Sequence, residues 1–289
     1  MNKKIAVLQI TLMVLLMVAC SRQAVDGSSP ENRATPAPSS VSEATETPVA
    51  PTAPAPTETP AVTAPPATTE APPEPVYVDF AAGQPQGYEI ADGWTNGSMF
   101  NVTWRKSNVT FEDGKMQLII DKDAKATGDI PYSGGEFRTR KFYGYGRYEV
   151  NMKAIKNDGV VSSFFTYTGP SDKNPWDEID IEFLGKDTTK VQFNYFTNGR
   201  GNNEYMYELG FDASQEFHTY GFEWHPDTII WFVDGEEVHR ADKRIPVTEG
   251  KIMMNAWCGT TVDEWLNPFE DSNLPLVAEY QWFRYTPFE

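Results

Sequence analysis

The chain has 289 residues and a net charge of −17, from 41 Asp and Glu side chains against 24 Lys and Arg. It has no basic cluster that could neutralise a phosphate backbone, so the composition argues against nucleic acid as a partner. Cys20 and Cys258 are too few for a disulfide framework, and His218, His225 and His239 lack the spacing of metal ligands, so we expect no metal site.

The first predicted element is an export signal over residues 1–19. Lys3 and Lys4 precede an apolar stretch, Ile5 to Ala19, that is short for a membrane span. The stretch ends in Met17-Val18-Ala19-Cys20, which resembles the bacterial lipoprotein signal, where cleavage before the cysteine is followed by its lipidation. We therefore expect an extracellular, cell-surface lipoprotein that is held at the membrane only by a lipid on Cys20. An ordinary secretory signal is the alternative.

Residues 20–75 are predicted to form a disordered tether. Of the 22 prolines, 13 lie between Pro30 and Pro75, among Thr, Ala, Ser and Glu residues that have little to bury. Such a segment cannot offset the entropy cost of ordering. Nearly all aromatic residues lie in residues 76–289, which we expect to form one folded domain and a monomer.

Residues 76–289 have the pattern of an all-β domain. In the clearest hairpin, Thr228–Val233 and Glu236–His239 flank Asp234-Gly235, which supplies the positive φ of a tight two-residue turn. No stretch shows a sustained helical period. Short runs with alternating apolar residues, separated by turn residues, predict a β-sandwich; such runs include Met116–Ile120, Gly146–Val150, Lys190–Tyr195 and Phe217–Trp224.

Three acidic residues alternate within one of these runs. In a strand, alternate side chains share a face, so Glu178, Asp180 and Glu182 are predicted to lie together. Like charges this close raise at least one pKa, as acid/base chemistry near neutral pH requires. A glycosidase needs one carboxylate and one carboxylic acid that protonates the leaving oxygen.

The competing interpretation is the solvated face of an amphipathic strand. Two observations favour a site. Strands disfavour Asp, and like charges without a function are usually interspersed with Lys or Thr. The acids also follow Trp176, whose broad face suits a pyranose ring.

The run Trp176 to Gly185, followed by Lys190–Tyr195, resembles the bacterial lichenases, the 1,3-1,4-β-glucanases of glycoside hydrolase family 16. The similarity extends over nearly the whole domain. It includes Asn96-Gly97, Phe100-Asn101, Glu136–Arg138, Tyr143–Gly146, Ser162–Gly169, Trp231–Gly235 and Met253–Trp257.

The resemblance implies a β-jelly-roll sandwich of the concanavalin A-like kind, with a substrate cleft across its concave face. It also implies cleavage by double displacement with retention of configuration. In that pattern Glu178 matches the nucleophile and Glu182 the general acid/base. Asp180 matches the residue that hydrogen-bonds the nucleophile and tunes both ionisations. The alternation of the residues alone does not say which Glu plays which part.

The resemblance further implies a set of substrate-binding residues. Aromatic rings stack on apolar sugar faces, while Asn, Glu and Arg hydrogen-bond hydroxyls. Core packing is the alternative for each aromatic, above all for Phe165 and Phe100; Trp176 and Trp257 are the strongest candidates. The full set is Trp94, Asn96, Phe100, Glu136, Arg138, Phe165, Trp176, Asn194, Glu204, Asn255 and Trp257.

The sequence departs from the family pattern at several positions. Phe196 stands where lichenases commonly carry Tyr, and Val102 and Gly134 occupy the positions of the usual disulfide. Cys258 replaces an Asn, and we expect a buried, inert thiol there. Gln281 replaces the Asp that helps to hold a structural calcium in many relatives, and a neutral amide binds a hard cation poorly. We therefore expect no required cofactor and do not predict a calcium site.

The leading hypothesis is an endo-acting β-glucanase that cuts mixed-linkage 1,3-1,4-β-glucan. A β-1,3-glucanase is the second enzymatic hypothesis, although the laminarinase pattern inserts one residue before the last Glu and so bulges the strand. A non-catalytic glycan-binding module is the alternative from another class. Transglycosylation, which shares the glycosyl-enzyme intermediate, also stays open.

Overall fold

A computed structural model describes residues 74–126 and 128–288. The predicted export signal, Cys20 and nearly all of the predicted tether lie outside these residues. The described chain forms sixteen strands: β1 (Val76–Asp79), β2 (Tyr88–Ile90), β3 (Val102–Trp104), β4 (Val109–Glu112), β5 (Lys115–Lys122), β6 (Tyr132–Thr139), β7 (Gly146–Lys153), β8 (Val160–Thr168), β9 (Asp177–Leu184), β10 (Lys190–Phe196), β11 (Tyr205–Glu208), β12 (His218–Trp224), β13 (Ile229–Val233), β14 (Glu236–Ala241), β15 (Lys251–Cys258) and β16 (Leu276–Pro287).

Helical structure is sparse in the part of the chain that the structure describes. The α-helix α1 spans only Asp263–Leu266, and three single 3₁₀ turns cover Phe80–Ala82, Lys106–Asn108 and Pro170–Asp172. No helix among these residues is both long and apolar enough to cross a membrane.

The strands form two antiparallel sheets that pack face to face. The front sheet has the order β11-β10-β9-β8-β15-β6, with β2 paired to β6. The back sheet has the order β4-β5-β16-β7-β12-β13-β14, with β1 paired to β16. The sheets join where β5 pairs with β6 over two residue pairs, and β3 runs parallel to β6. This is the β-jelly-roll sandwich that the resemblance implies, so the predicted fold class is confirmed.

The core lies between the two sheets and is rich in aromatic rings. Alternation sends every second side chain inward, as in β5, where Met116, Leu118 and Ile120 are buried and their neighbours are not. Trp104, Trp224 and other large rings are also fully buried. Burial of one such side chain stabilises the fold by about 1.5–3 kcal/mol.

Two local predictions are confirmed. Asp234 and Gly235 both have positive φ, 50° and 87°, and connect β13 to β14 as a tight hairpin. Cys258 is a buried, unpaired thiol in β15, and burial raises its pKa, which keeps it protonated and unreactive.

Candidate active site

Three carboxyl side chains of β9 point to the outer face of the front sheet. Ile179 and Ile181 are fully buried in the core between the sheets. Because successive side chains of a strand alternate between faces, Glu178, Asp180 and Glu182 must point the other way. We call the surface that carries these three acids the front face.

The pairing register identifies the side chains that surround the acids, because directly paired residues of antiparallel strands project to the same face. The strands β10 and β8 flank β9, and β15 and β6 follow beyond β8. Opposite Glu178, Asp180 and Glu182 lie Phe196, Asn194 and Gln192 on β10 and Tyr167, Phe165 and Ser163 on β8. Met253 and Asn255 on β15, and Arg138 and Glu136 on β6, continue the same rows.

Glu178 lies in a pocket of aromatic and acidic groups. The indole Nε1 of Trp176 donates to its Oε2 at 2.5 Å. The Trp176 ring stacks on Phe196, with the ring centres 4.5 Å apart and the planes 14° from parallel. The stack limits the directions in which the indole N–H can point, so Trp176 holds one oxygen of Glu178 in a defined place.

Glu182 has a different set of partners. Gln192, directly opposite on β10, donates from Nε2 to Glu182 Oε2 at 2.9 Å. The Gln192 Oε1 in turn accepts from the indole Nε1 of Trp265 on α1 at 3.1 Å. The two glutamates therefore share one face but have separate hydrogen-bond environments.

Burial raises the pKa of the three acids of β9 that lie on the front face. For Glu178 the charge of Glu182 adds to the rise, while hydrogen bonds from Trp176 and Asp180 oppose it. Burial and the charges of Glu178 and Glu182 hold the pKa of Asp180 well above its ordinary value, and the hydrogen bond between Asp180 and Glu178 raises it further. The charge of Glu204 raises the pKa of Glu182 further. The cluster therefore gives up its protons at higher pH than three isolated acids would.

Asp177 anchors the start of β9. Its side chain is buried and accepts three backbone N–H bonds, from Asn198 at 2.7 Å and from Val247 and Thr248 at 3.0 Å each. Two loops from distant parts of the chain are thereby tied to the residue that precedes Glu178. The alternation of Glu178, Asp180 and Glu182 does not indicate this role, because Asp177 lies on the opposite face of the strand.

Glu136 and Arg138 form a polar cluster on β6. Glu136 is fully buried; its Oε2 accepts from Asn96 Nδ2 at 3.1 Å and from Asn255 Nδ2 at 3.5 Å. Arg138 donates to Glu89 at 2.9 Å, and its guanidinium lies 5.1 Å from the centre of the Trp94 ring. Among the described residues, Glu136 Oε1 and Arg138 Nε have no hydrogen-bond partner.

The candidate aromatics differ in what they expose. Trp94 is 37% exposed and Trp176 is partly exposed, whereas Trp257 is 3% exposed and packs against Phe100 at 4.1 Å between ring centres. Trp257 therefore offers little surface to a sugar. Phe165 is also buried, at 7% exposed, but it lies opposite Asp180 on the front face and outside the core cluster between the sheets.

The remaining candidates lie at the other side of β9. Asn194 is buried on β10 with its Oδ1 bonded to the Tyr195 amide at 2.9 Å, and Glu204 is exposed just before β11. The structure also adds front-face residues that sequence analysis missed. They are Gln192, Trp265, Ser163, Tyr167, Met253 and Glu89.

Residues 96–275 match the model of the glycosyl hydrolases family 16. The chain belongs to this family. A β-glucanase of Acetivibrio thermocellus is 61% identical over 212 residues, which cover 73% of this chain and 61% of that protein. A β-glucanase of Bacillus subtilis (strain 168) is 58% identical over 200 residues, covering 69% of this chain and 81% of that protein.

A solved structure has the same fold. A prokaryotic β-1,3-1,4-glucanase (lichenase) from a mouse hindgut metagenome matches with a TM-score of 0.71 at 55% identity, and the match covers 74% of this chain and 99% of that one. This chain spans about three fifths of the length of the A. thermocellus relative, 61%.

The departures from the family 16 pattern have visible structural consequences. A Cβ at Gly134 would lie 3.1 Å from Val102 Cγ2 and 2.9 Å from the Trp104 ring, so packing occupies the place of a disulfide. Gln281 is exposed at a register shift of β16. Its neutral amide does not fit calcium, and the described residues contain no group of three or more His, Cys, Asp or Glu side chains that could hold a metal.

Proposed function

We propose that this family 16 protein is an endo-β-glucanase that cuts mixed-linkage 1,3-1,4-β-D-glucan with retention of configuration. Glu178 attacks the anomeric carbon, and Glu182 gives its proton to the leaving oxygen as the glycosidic bond breaks. Glu182 then takes a proton from water, which attacks the glycosyl-enzyme ester and releases Glu178. Asp180 stays protonated and stabilises the Glu178 carboxylate by its hydrogen bond.

The observation that carries this proposal is the pair of acids on one face of β9 with different partners. Trp176 donates to Glu178, and Gln192 donates to Glu182. Burial raises the pKa of both glutamates, so a proton for the leaving oxygen is retained towards neutral pH, while the hydrogen bond from Trp176 stabilises the carboxylate form of Glu178. A solvated strand face would require neither burial nor separate donors.

Substrate recognition is proposed to use both flanks of β9. Buried polar atoms without hydrogen bonds are costly, so Glu136 Oε1, which has only an ion pair with Arg138 Nη1 at 3.8 Å, and Arg138 Nε are suited to bind sugar hydroxyls. The substrate-binding role that we propose for Trp94, Asn96, Phe100, Phe165, Trp176, Asn194, Glu204, Asn255 and Trp257 follows from their positions on both sides of the three acids. For Trp257, with its small exposed surface, that role is to shape the cleft floor and support Phe100.

The proposed linkage preference rests on the regularity of β9. Its pairing with both β8 and β10 runs without a register shift through Glu178, Asp180 and Glu182. The insertion that is typical of laminarinases would add a residue before the last Glu and bulge the strand. The absence of such a shift along this described strand favours mixed-linkage glucan over β-1,3-glucan.

The test combines substrate range with removal of the nucleophile. The parent should release reducing ends from barley β-glucan but not from laminarin or carboxymethylcellulose, and Glu178→Ala should lower kcat by about 10³-fold or more while glucan binding persists. Equal activity on laminarin would refute the linkage preference. Parent-rate hydrolysis by Glu178→Ala, or binding without cleavage by the parent, would refute the enzymatic mechanism. Elongated products at high oligosaccharide concentration would indicate transglycosylation.

We also propose export through residues 1–19, lipidation of Cys20 and a tether over residues 20–75, which together place the domain at the outer cell surface. Incorporation of labelled palmitate into the parent but not into Cys20→Ala would support this. No cofactor is proposed, so dialysis against a chelator should leave kcat unchanged. A monomeric mass by light scattering is expected.

A further inference from the structure

Gln192 joins Glu182 to a residue of α1 through both ends of its amide. The amide is buried on β10, with Nε2 at 2.9 Å from Glu182 Oε2 and Oε1 at 3.1 Å from Trp265 Nε1. An indole N–H can only donate a hydrogen bond. The atom that faces Trp265 must therefore be the amide oxygen, and the amide NH₂ must face Glu182.

These two hydrogen bonds influence which oxygen of Glu182 carries the proton in the acid form. Because Oε2 accepts from the Gln192 NH₂, a proton on Oε2 would weaken that hydrogen bond, since a hydroxyl oxygen is a poorer acceptor than a carbonyl oxygen. The hydrogen bond therefore favours the acid form of Glu182 that carries its proton on Oε1. Without the Trp265 N–H, the Gln192 amide could turn over and present its oxygen to Glu182, and the proton could then sit on either oxygen.

Trp265 is held firmly enough to act as the fixed end of these two hydrogen bonds. It lies on α1, in the loop that connects β15 to β16. The next residue, Leu266, is buried, and its carbonyl accepts from the Gly159 amide at 2.8 Å. The Trp265 ring also lies 6.0 Å from that of Trp257 on the front sheet.

We propose that Trp265 and Gln192 are positioning residues that orient Glu182 and direct its proton to Oε1, the oxygen that protonates the leaving group. This inference rests on the proposed role of Glu182 as the general acid. Neither residue touches the reacting atoms. Their effect on the reaction passes through the carboxyl group of Glu182.

The test measures the ionisation of Glu182 directly and its effect on the reaction separately. Gln192→Leu removes the donor to Glu182, and Trp265→Phe removes only the indole N–H. Loss of a donor to the carboxylate destabilises it, so the pKa of Glu182 should rise by about 0.5–1 unit in Gln192→Leu and by less in Trp265→Phe. Carbon-13 NMR titration of the Glu carboxyls, assigned with Glu182→Gln, reads this shift without any need for activity.

Kinetics then separate positioning from general damage. On mixed-linkage glucan, kcat/KM should fall about tenfold in Gln192→Leu and about threefold in Trp265→Phe, with the alkaline limb moved to higher pH. On a 2,4-dinitrophenyl glycoside, whose leaving group needs no proton, glycosylation should change less than twofold. Trp282→Phe, at a partly exposed Trp of the back sheet, is the matched control and should change neither quantity.

Unchanged NMR titration of Glu182 in both variants would overturn the inference. Equal losses on the natural and the activated substrate would also overturn it, because they would indicate structural damage. A shifted titration of Glu182 with an unshifted alkaline limb in an active enzyme would instead refute the general-acid role of Glu182 in the proposed function.

Discussion

The substitution Glu178→Gln, which removes one charge from β9, should stabilise the domain at alkaline pH but not at acid pH. Burial and like charge raise the pKa of Glu178 in the folded protein above the 4.5 of an ordinary Glu. Between pH 4.5 and the raised pKa, Glu178 holds a proton in the folded state that it has lost in the unfolded state. Stability therefore falls as the pH rises through this window, and the full cost is present above the raised pKa. Glu178→Gln carries no charge and avoids that cost.

The expected gain in unfolding free energy follows from the pKa shift of Glu178, reduced because solvent screens a partly exposed charge. One pKa unit corresponds to about 1.4 kcal/mol, and the partial exposure of Glu178 reduces what the shift contributes to stability, so we expect a gain of about 1–3 kcal/mol at pH 8. For a domain of this size that corresponds to roughly 3–10 °C in Tm. Gln keeps an oxygen that can accept from Trp176 Nε1, so the existing hydrogen bond is preserved. The variant should be more stable but inactive, because the charge that destabilises the folded domain is the one that the proposed reaction needs.

Thermal unfolding of the parent and Glu178→Gln at pH 4.5 and pH 8 measures this directly. Glu216→Gln, at an exposed position between β11 and β12, serves as the matched control and should give no pH-dependent gain. A Tm gain of equal size at both pH values would refute the electrostatic reasoning. A lower Tm for Glu178→Gln at pH 8 would show that the carboxylate is stabilised by its surroundings.

Two further substitutions test how the site is supported. Asp177→Ala leaves three backbone N–H groups without their acceptor, so urea unfolding should show that the free energy of unfolding falls by about 3–6 kcal/mol. A decrease below about 1 kcal/mol would mean that water replaces the carboxylate. Gly201→Ala places a Cβ 2.5 Å from the Phe196 ring, which should displace that ring from its stack on Trp176. We expect kcat/KM to fall several-fold with little change in Tm. An unchanged kcat/KM would show that the stack does not hold Glu178 in place.

The alternation of β9 could be predicted from the sequence because it is a local property. Period-two spacing requires only that the segment be a strand, and burial of Ile179 and Ile181 then sends the acids outward. The Asp234-Gly235 turn is local in the same sense, since only a few residue types adopt two successive positive φ values. Such features depend on neighbours within a few positions along the chain.

Exposure of the aromatics could not be predicted in this way. The sequence favours Trp176 and Trp257 equally as sugar-binding residues, yet Trp257 is almost wholly buried while Trp176 is partly exposed. Phe165, for which core packing was a serious alternative, lies on the front face. What a ring exposes depends on loops that fold over it, and the composition of a strand does not contain that information.

The hydrogen bonds that hold Glu182 show most clearly what cannot be predicted from the sequence. Gln192 and Trp265 are 73 positions apart and meet only because β10 and α1 converge at the edge of the front face. A Gln within a strand and a Trp within a loop have no local pattern that indicates a shared role. Once the register of β9 and β10 is known, however, the donor-only indole determines the amide orientation, and the amide favours one oxygen of Glu182 for the proton. The acids that perform the proposed chemistry are thus visible in the sequence, whereas the direction of their protons is a property of long-range packing.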